Sequence, residues 1–219
     1  MEPLILFFVI FFQGIALSGP IESLLEEGVL HYSIYSQLVQ TLIFTIPSLA
    51  LIWFLVTDKK GPSALDDPQY QGPFPSIKLS SKDLIHLLLG LLGLLIIGQG
   101  VSLMARIWGE GLPFSLQGPS SGAGWAVLVF SCLGTGYLEE SYFRYYLLSK
   151  LKKDLPQAGL RIMVSTALFA LCHYSYGIWG ILNSVMAGLF LSFLFLRYRS
   201  IHGIAWAHGL YNLLAYALA

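Results

Sequence analysis

The sequence predicts an all-α protein, a polytopic transmembrane helical bundle of about seven membrane spans. Three observations predict it. Of 219 residues, 56% are hydrophobic and 11% charged, with a mean hydropathy of +0.70, where soluble domains carry about 25% charged residues. Apolar runs of roughly 15 to 25 residues recur, each near the length that a hydrocarbon core of about 30 Å demands at 1.5 Å per helical residue. Lys and Arg collect in alternate connections, as they do in short cytoplasmic loops. The 12 basic and 12 acidic residues balance, so no net field exists to hold nucleic acid, and that class of partner is excluded. The partner the composition demands is the lipid bilayer. Cys132 and Cys172 both lie inside apolar runs, which argues against a disulfide framework and against a paired-cysteine metal knuckle.

The first apolar run, 3–18, is short. It ends on Ala16, Ser18 and Gly19, as a cleavable signal peptide does, but its start carries Glu2 and no basic residue, which favours a retained span. The connection 19–35 holds Glu22, Glu26, Glu27 and His31 without Lys or Arg and suits the outer face. The second run, 36–56, leads into 57–83, where Pro62, Pro68, Pro73 and Pro75 forbid a continuous helix and predict a polar cytoplasmic loop. Runs at 84–105, 122–148, 162–176, 178–197 and 201–218 complete the seven. Ten of the 12 basic residues follow the second, fourth and sixth spans: Lys59, Lys60, Lys78 and Lys82; Lys150, Lys152, Lys153 and Arg161; Arg197 and Arg199. An integral membrane protein with its N-terminus in the cytoplasm and its C-terminus outside satisfies that distribution. No linker divides the chain, so we read one structural domain, with N-terminal spans and a cytoplasmic loop over 1–121 and the polar motifs over 122–219.

An ionisable side chain near the bilayer centre costs about 2.5 to 3.5 kcal/mol on insertion scales, so each one within a span is a functional candidate. Such residues concentrate in three spans, as Glu139, Glu140 and Arg144, as His173, and as His208 with Asn212 beside it. Counted from the nearest cytoplasmic charge, Glu139 lies about 16 Å deep, His173 about 18 Å, His208 about 13 Å and Asn212 about 20 Å. Groups that converge on one reacting atom share a depth, and these four do. Glu140 and Arg144, four apart, share a helix face and can pair, leaving Glu139 turned by about 100° into the bundle as a candidate general base. His208 and Asn212 likewise share a face and offer an imidazole and an amide to one substrate carbonyl.

Each signal alone has a plain structural reading. Glu140 with Arg144 is then a helix-stabilising or snorkelling pair, and His173 and Asn212 are interhelical hydrogen-bonders. Together at one depth they leave several insertion penalties that packing alone does not justify. His86 and His202 fall near cytoplasmic span ends, where interfacial water satisfies them, and stay outside the candidate site. Cys172 faces a different way from His173 on a helix, against a cysteine–histidine nucleophile. Gly188 and Ser192 have the spacing of close helix packing.

In this order the three motifs, Glu139-Glu140 with Arg144, Phe169 with His173, and His208 with Asn212, resemble the CPBP or Abi family of intramembrane proteases, which includes the type II CAAX prenyl endopeptidases and bacteriocin-processing proteins. The resemblance implies an all-helical membrane enzyme that cleaves peptide bonds in or near the bilayer. It implies that Glu139 and His173 activate a water, that His208 and Asn212 stabilise the tetrahedral oxyanion, and that Glu140 and Arg144 support the site. The implied substrate is a protein or peptide, lipidated or bearing a C-terminal sorting signal. The implied location is the plasma membrane of a bacterium or archaeon, and the spans within 1–121 become a candidate substrate-recognition part.

Peptide hydrolysis needs a water, a base and donors for the developing oxyanion, and this constellation supplies all three. Zinc held by Glu139, His173 and His208 is the alternative, since two histidines and a glutamate form a known catalytic ligand set. The chain lacks HExxH, and the ligands would come from three separate helices, so direct glutamate catalysis without a cofactor is favoured. Two other functions fit the same residues: a non-catalytic scaffold or bacteriocin-immunity protein, and, less well, a proton-coupled transporter.

Overall fold

The computed structural model describes residues 2–12, 25–26, 29–57, 81–109, 115–152, 154–198 and 200–218. These residues are mostly helical. Helix α1 (Glu2–Phe7) runs on as a π-helical turn over Phe8–Phe12. Helix α2 (Ile34–Val39), a π-helical stretch Gln40–Thr45 and α3 (Ile46–Thr57) follow as one rod. Then come α4 (Ser81–Ile107), α5 (Gly122–Glu140) with a π-helical stretch Ser141–Leu147 and a last turn α6 (Leu148–Lys150), α7 (Ala158–Leu171), α8 (Gly177–Tyr198) and α9 (Ile201–Ala217).

Serines start three of these helices in the way peptide chemistry favours. Ser33, Ser121 and Ser200 are extended, and each side chain accepts a hydrogen bond from the backbone N–H three residues on. Three helical stretches, Ile34–Leu55, Ser81–Ile107 and Tyr174–Tyr198, are long and apolar enough to cross a membrane, while Glu2–Phe11 and Ala158–Leu171 are apolar but shorter. On α4 the exposed residues include Leu84, Leu88, Leu92 and Ile96, an outward apolar face that lipid satisfies and water does not. The chain is an integral membrane protein.

Helix α9 is the axis of the bundle, packed along α5 on one side and α4 on another, while α8 packs against both α7 and α4. At its base Gly203 admits the first turn of α4. A Cβ there would meet the His86 Cβ at 2.6 Å and the Asp83 carbonyl oxygen at 2.8 Å. The Ser200 hydroxyl that caps α9 also hydrogen-bonds the Asp83 carboxylate of α4.

Several expectations change. His86 is 4% exposed and stacked on Tyr198, with ring centroids 4.3 Å apart, so it is buried in helix packing and not solvated at an interface. The His202 ring shares a 2.7 Å hydrogen bond with the Tyr137 hydroxyl. The fifth apolar run is not helical to residue 176. Helix α7 stops at Leu171, a short 3₁₀ turn spans Tyr174–Tyr176, and α8 starts at Gly177, whose φ of 72° favours glycine. Within the connection 19–35, strands Leu25–Glu26 (β1) and Val29–Leu30 (β2) form an antiparallel pair, and β2 pairs in parallel with Ser115–Leu116 (β3). Ala16, Ser18, Gly19, Glu22 and Glu27, and the proline-rich segment with Lys59, Lys60 and Lys78, lie outside the described residues, as do Lys153 and Arg199.

Candidate active site

The site forms where α5 and α9 meet backbone to backbone. A Cβ on Gly136 would fall on the Ala205 carbonyl oxygen and within 2.9 Å of Gly209 N, and one on Gly209 would stand 2.9 Å from the Cys132 carbonyl oxygen. Small residues at a helix crossing in a membrane permit this approach. It brings residue 208 of α9 within side-chain reach of residues 139 and 140 of α5.

His208 sits between the two glutamates. Its Nδ1–H donates to Glu140 Oε1 at 2.7 Å, and its Nε2 stands 3.7 Å from Glu139 Oε2. The second distance is too long for a hydrogen bond and leaves both atoms able to engage a third group. Glu140 Oε1 also accepts from Arg144 Nη1 at 3.1 Å, so one carboxylate oxygen serves a guanidinium and an imidazole. Arg144 Nη2 reaches the Gly188 carbonyl of α8 at 3.5 Å, and its Cζ lies 4.5 Å from the centroid of Phe169 on α7. The expected Glu140–Arg144 pair therefore exists, but both side chains are fully buried and neither snorkels. Glu139 keeps 15% of its side-chain surface open, and its Oε2 has no hydrogen-bond partner among the described residues.

The motif that joins Phe169 to His173 has a local cause. As α7 ends, its bonds tighten: His173 N–H donates to Ala170 O at 3.0 Å, and the imidazole Nδ1–H takes the Phe169 carbonyl at 2.9 Å. The ring thus caps the helix through Nδ1 and keeps Nε2 for another partner. Phe169 is the seat of the site. Its ring centroid is 4.7 Å from that of His173 and 5.9 Å from that of His208, in addition to lying under Arg144. Asn212 is half-buried on α9 one turn beyond His208, on the same face. Cys172 gives its thiol to the Leu168 carbonyl.

Directly after the glutamate pair, α5 widens into the π-helical stretch Ser141–Leu147, all seven of whose residues are buried; such wide turns concentrate at functional sites. Two features lay outside the sequence reading. The Gly188 carbonyl is a further contact of the arginine, although the sequence marks Gly188 only as a packing residue. The role of Phe169 as a shared platform has no sequence signal beyond its place in the motif.

Zinc would need Glu139, His173 and His208 around one ion. Among the described residues no group of three His, Cys, Asp or Glu side chains could hold a metal ion. His208 and His173 each commit Nδ1, one to Glu140 and the other to a backbone carbonyl. Both rings keep Nε2 for another group, as metal-ligating histidines also do.

These features define a helical membrane protein with an acid–histidine site inside its bundle. Residues 121–214, less than half of the chain, match the model of the family described as type II CAAX prenyl endopeptidase Rce1-like, and that stretch is similar to this family. The matched stretch begins at the residue that caps α5 and contains every residue of the three motifs. No curated protein and no solved structure matches the chain at a significant level.

Proposed function

We propose that this chain is an intramembrane endopeptidase of the glutamate type, in which Glu139 and His173 activate water and His208 and Asn212 stabilise the oxyanion. The observation that carries this reading is the position of His208 between a fully buried glutamate and a partly open one. Glu139 takes a proton from a water whose second hydrogen is held by His173 Nε2, and the oxygen attacks the scissile carbonyl carbon. The carbonyl oxygen then carries the negative charge, for which Nε2–H of a doubly protonated His208 and the Asn212 amide are the donors. Collapse of the tetrahedral intermediate breaks the C–N bond, and Glu139 returns its proton to the leaving amine. Glu140 and Arg144 take no part in proton transfer; they fix the His208 ring.

We further infer seven spans with the N-terminus cytoplasmic. Glu2 at the start of α1 stands 3.6 Å from Lys150 at the end of α6, which supports one membrane side for both. The substrate is inferred to be membrane-associated, lipidated or carrying a C-terminal signal, and the host membrane that of a bacterium or archaeon.

Comparative mass spectrometry of membrane proteins from cells carrying wild-type chain or Glu139→Gln tests the reading: products are expected with wild type alone, and undiminished proteolysis by Glu139→Gln would refute it. Exhaustive chelation with stoichiometric metal analysis separates the mechanisms, because loss of activity with the metal, restored by zinc, would overturn direct glutamate catalysis.

A further inference from the structure

We infer that α1, which lies outside the stretch matched by the family, is a positioning element of the active site, coupled to both histidines through a continuous stack of aromatic rings. The inference rests on the catalytic reading above for its consequence on rate, and on geometry alone for the coupling. Phe7 and Leu6 are 1% and 7% exposed, so α1 is part of the core and not an appendage.

The stack begins with Phe11, whose centroid is 4.9 Å from that of Phe143. Phe143 belongs to the π-helical stretch that follows the glutamate pair, and its ring meets Phe169 edge-on at 5.2 Å. Phe169 in turn bears on His173, His208 and Arg144. Three aromatic rings thus link the first helix to the reacting groups, with no flexible side chain between them. Aromatic pairs at these separations have preferred orientations, so a change at one ring is transmitted as a rotation of the next and is not absorbed.

Polar contacts hold α1 in register along the same helix. The Tyr142 hydroxyl donates to the Pro3 carbonyl at 2.6 Å, and the Tyr146 hydroxyl donates to Glu2 Oε1 at 2.8 Å. A π-helical stretch is a strained form of helix that external contacts must stabilise. Helix α1 supplies such contacts on one side and α7 supplies them on the other, where the Ser165 hydroxyl donates to the Phe143 carbonyl at 2.8 Å. The N-terminal part of the chain therefore braces the helix that carries the glutamate pair.

The test uses the full chain in lipid nanodiscs with ¹⁵N-labelled histidine, whose five rings are assigned by single replacements. Phe11→Ala is expected to shift the His173 and His208 ring signals while leaving those of His86 and His202 in place, and Phe11→Leu to restore most of the shift. Amide exchange over Ser141–Leu147 should rise about tenfold in Phe11→Ala, and kcat should fall about tenfold with KM little changed. Leu128→Ala, a cavity at a fully buried α5 position outside the aromatic cluster, is the control for general loosening. The coupling is overturned if Phe11→Ala leaves both site rings unmoved, or if Leu128→Ala moves them equally. Should Phe11→Ala fail to fold, Tyr142→Phe, which removes only the bond to Pro3, is read by the same signals with the same two outcomes. Proteolysis retained by Glu139→Gln would sink the catalytic reading and leave the ring measurements to judge the coupling on their own.

Discussion

Replacing Gly136 by alanine tests whether the α5–α9 crossing sets the active-site geometry. The added methyl carbon would stand 2.9 Å from Gly209 N and 3.2 Å from its Cα, and closer still to the Ala205 carbonyl oxygen. All three are backbone atoms, so no side chain can swing away, and ordinary contact is regained only if the helices separate by about 1 Å. Overpacking of this kind costs about 1 to 3 kcal/mol of stability, which a folded bundle can sustain. The catalytic consequence is larger. The 2.7 Å bond from His208 to Glu140 and the 3.7 Å approach to Glu139 both span this crossing, and a 1 Å misplacement of a catalytic group lowers rates by about 10²-fold. Purified Gly136→Ala in nanodiscs should therefore keep its fold by circular dichroism while kcat drops about a hundredfold. Gly100→Ala is the matched control, since its Cβ would meet nothing within 4 Å. Wild-type kcat in Gly136→Ala, or an equal loss in Gly100→Ala, would refute the argument.

Ser200→Ala removes the cap of α9 and the partner of the Asp83 carboxylate together, so thermal unfolding in detergent should show a loss of about 1 to 3 kcal/mol, with Ser200→Thr retaining most of it; an unchanged transition would mean the cap is dispensable. The buried ion pair predicts separable effects on stability and activity. Arg144→Met alone strands the Glu140 charge and should cost about 3 to 5 kcal/mol, whereas Glu140→Leu with Arg144→Met should cost less, about 1 to 3 kcal/mol, for the His208 Nδ1–H left without an acceptor. That double variant should still be inactive in a proteolysis assay, because His208 has lost its Nδ1 acceptor, and activity in it would refute the orienting role of Glu140.

What the sequence made legible followed from penalties that act locally. A charge inside an apolar run is conspicuous whatever the tertiary structure, so Glu139, Glu140, Arg144, His173 and His208 stood out, and the four-residue spacing of Glu140 and Arg144 anticipated their contact. Helical periodicity does not reveal which helix crosses which. Nothing in the run at 3–18 indicates that Phe11 packs on Phe143, more than 130 residues away, because aromatic residues are as common facing lipid as facing core. The end of α7 was missed for a related reason. Residues 172–176 are apolar or aromatic enough to extend a span, but the His173 ring takes the Phe169 carbonyl and turns the chain. The burial of His86 was missed because proximity to a span end implies water only where no second helix covers it, and Gly203 allows α9 to do so.

The two glutamates illustrate why adjacent identical residues acquire different tasks. They differ by one step of rotation, about 100°, on α5. That step turns Glu140 toward Arg144 and the interior, where both of its partners converge on one oxygen, and leaves Glu139, partly open, across from His208 Nε2. A fully buried ion pair contributes little net stability compared with apolar packing of the same volume, so stability does not explain its presence. Its effect is on His208. Holding Nδ1–H on a carboxylate that is itself held by Arg144 fixes the ring plane, and leaves Nε2 as the edge that faces Glu139. The costly charge in the core is thus the condition for an aligned imidazole at the site, and the arginine over Phe169 is what keeps that charge in place.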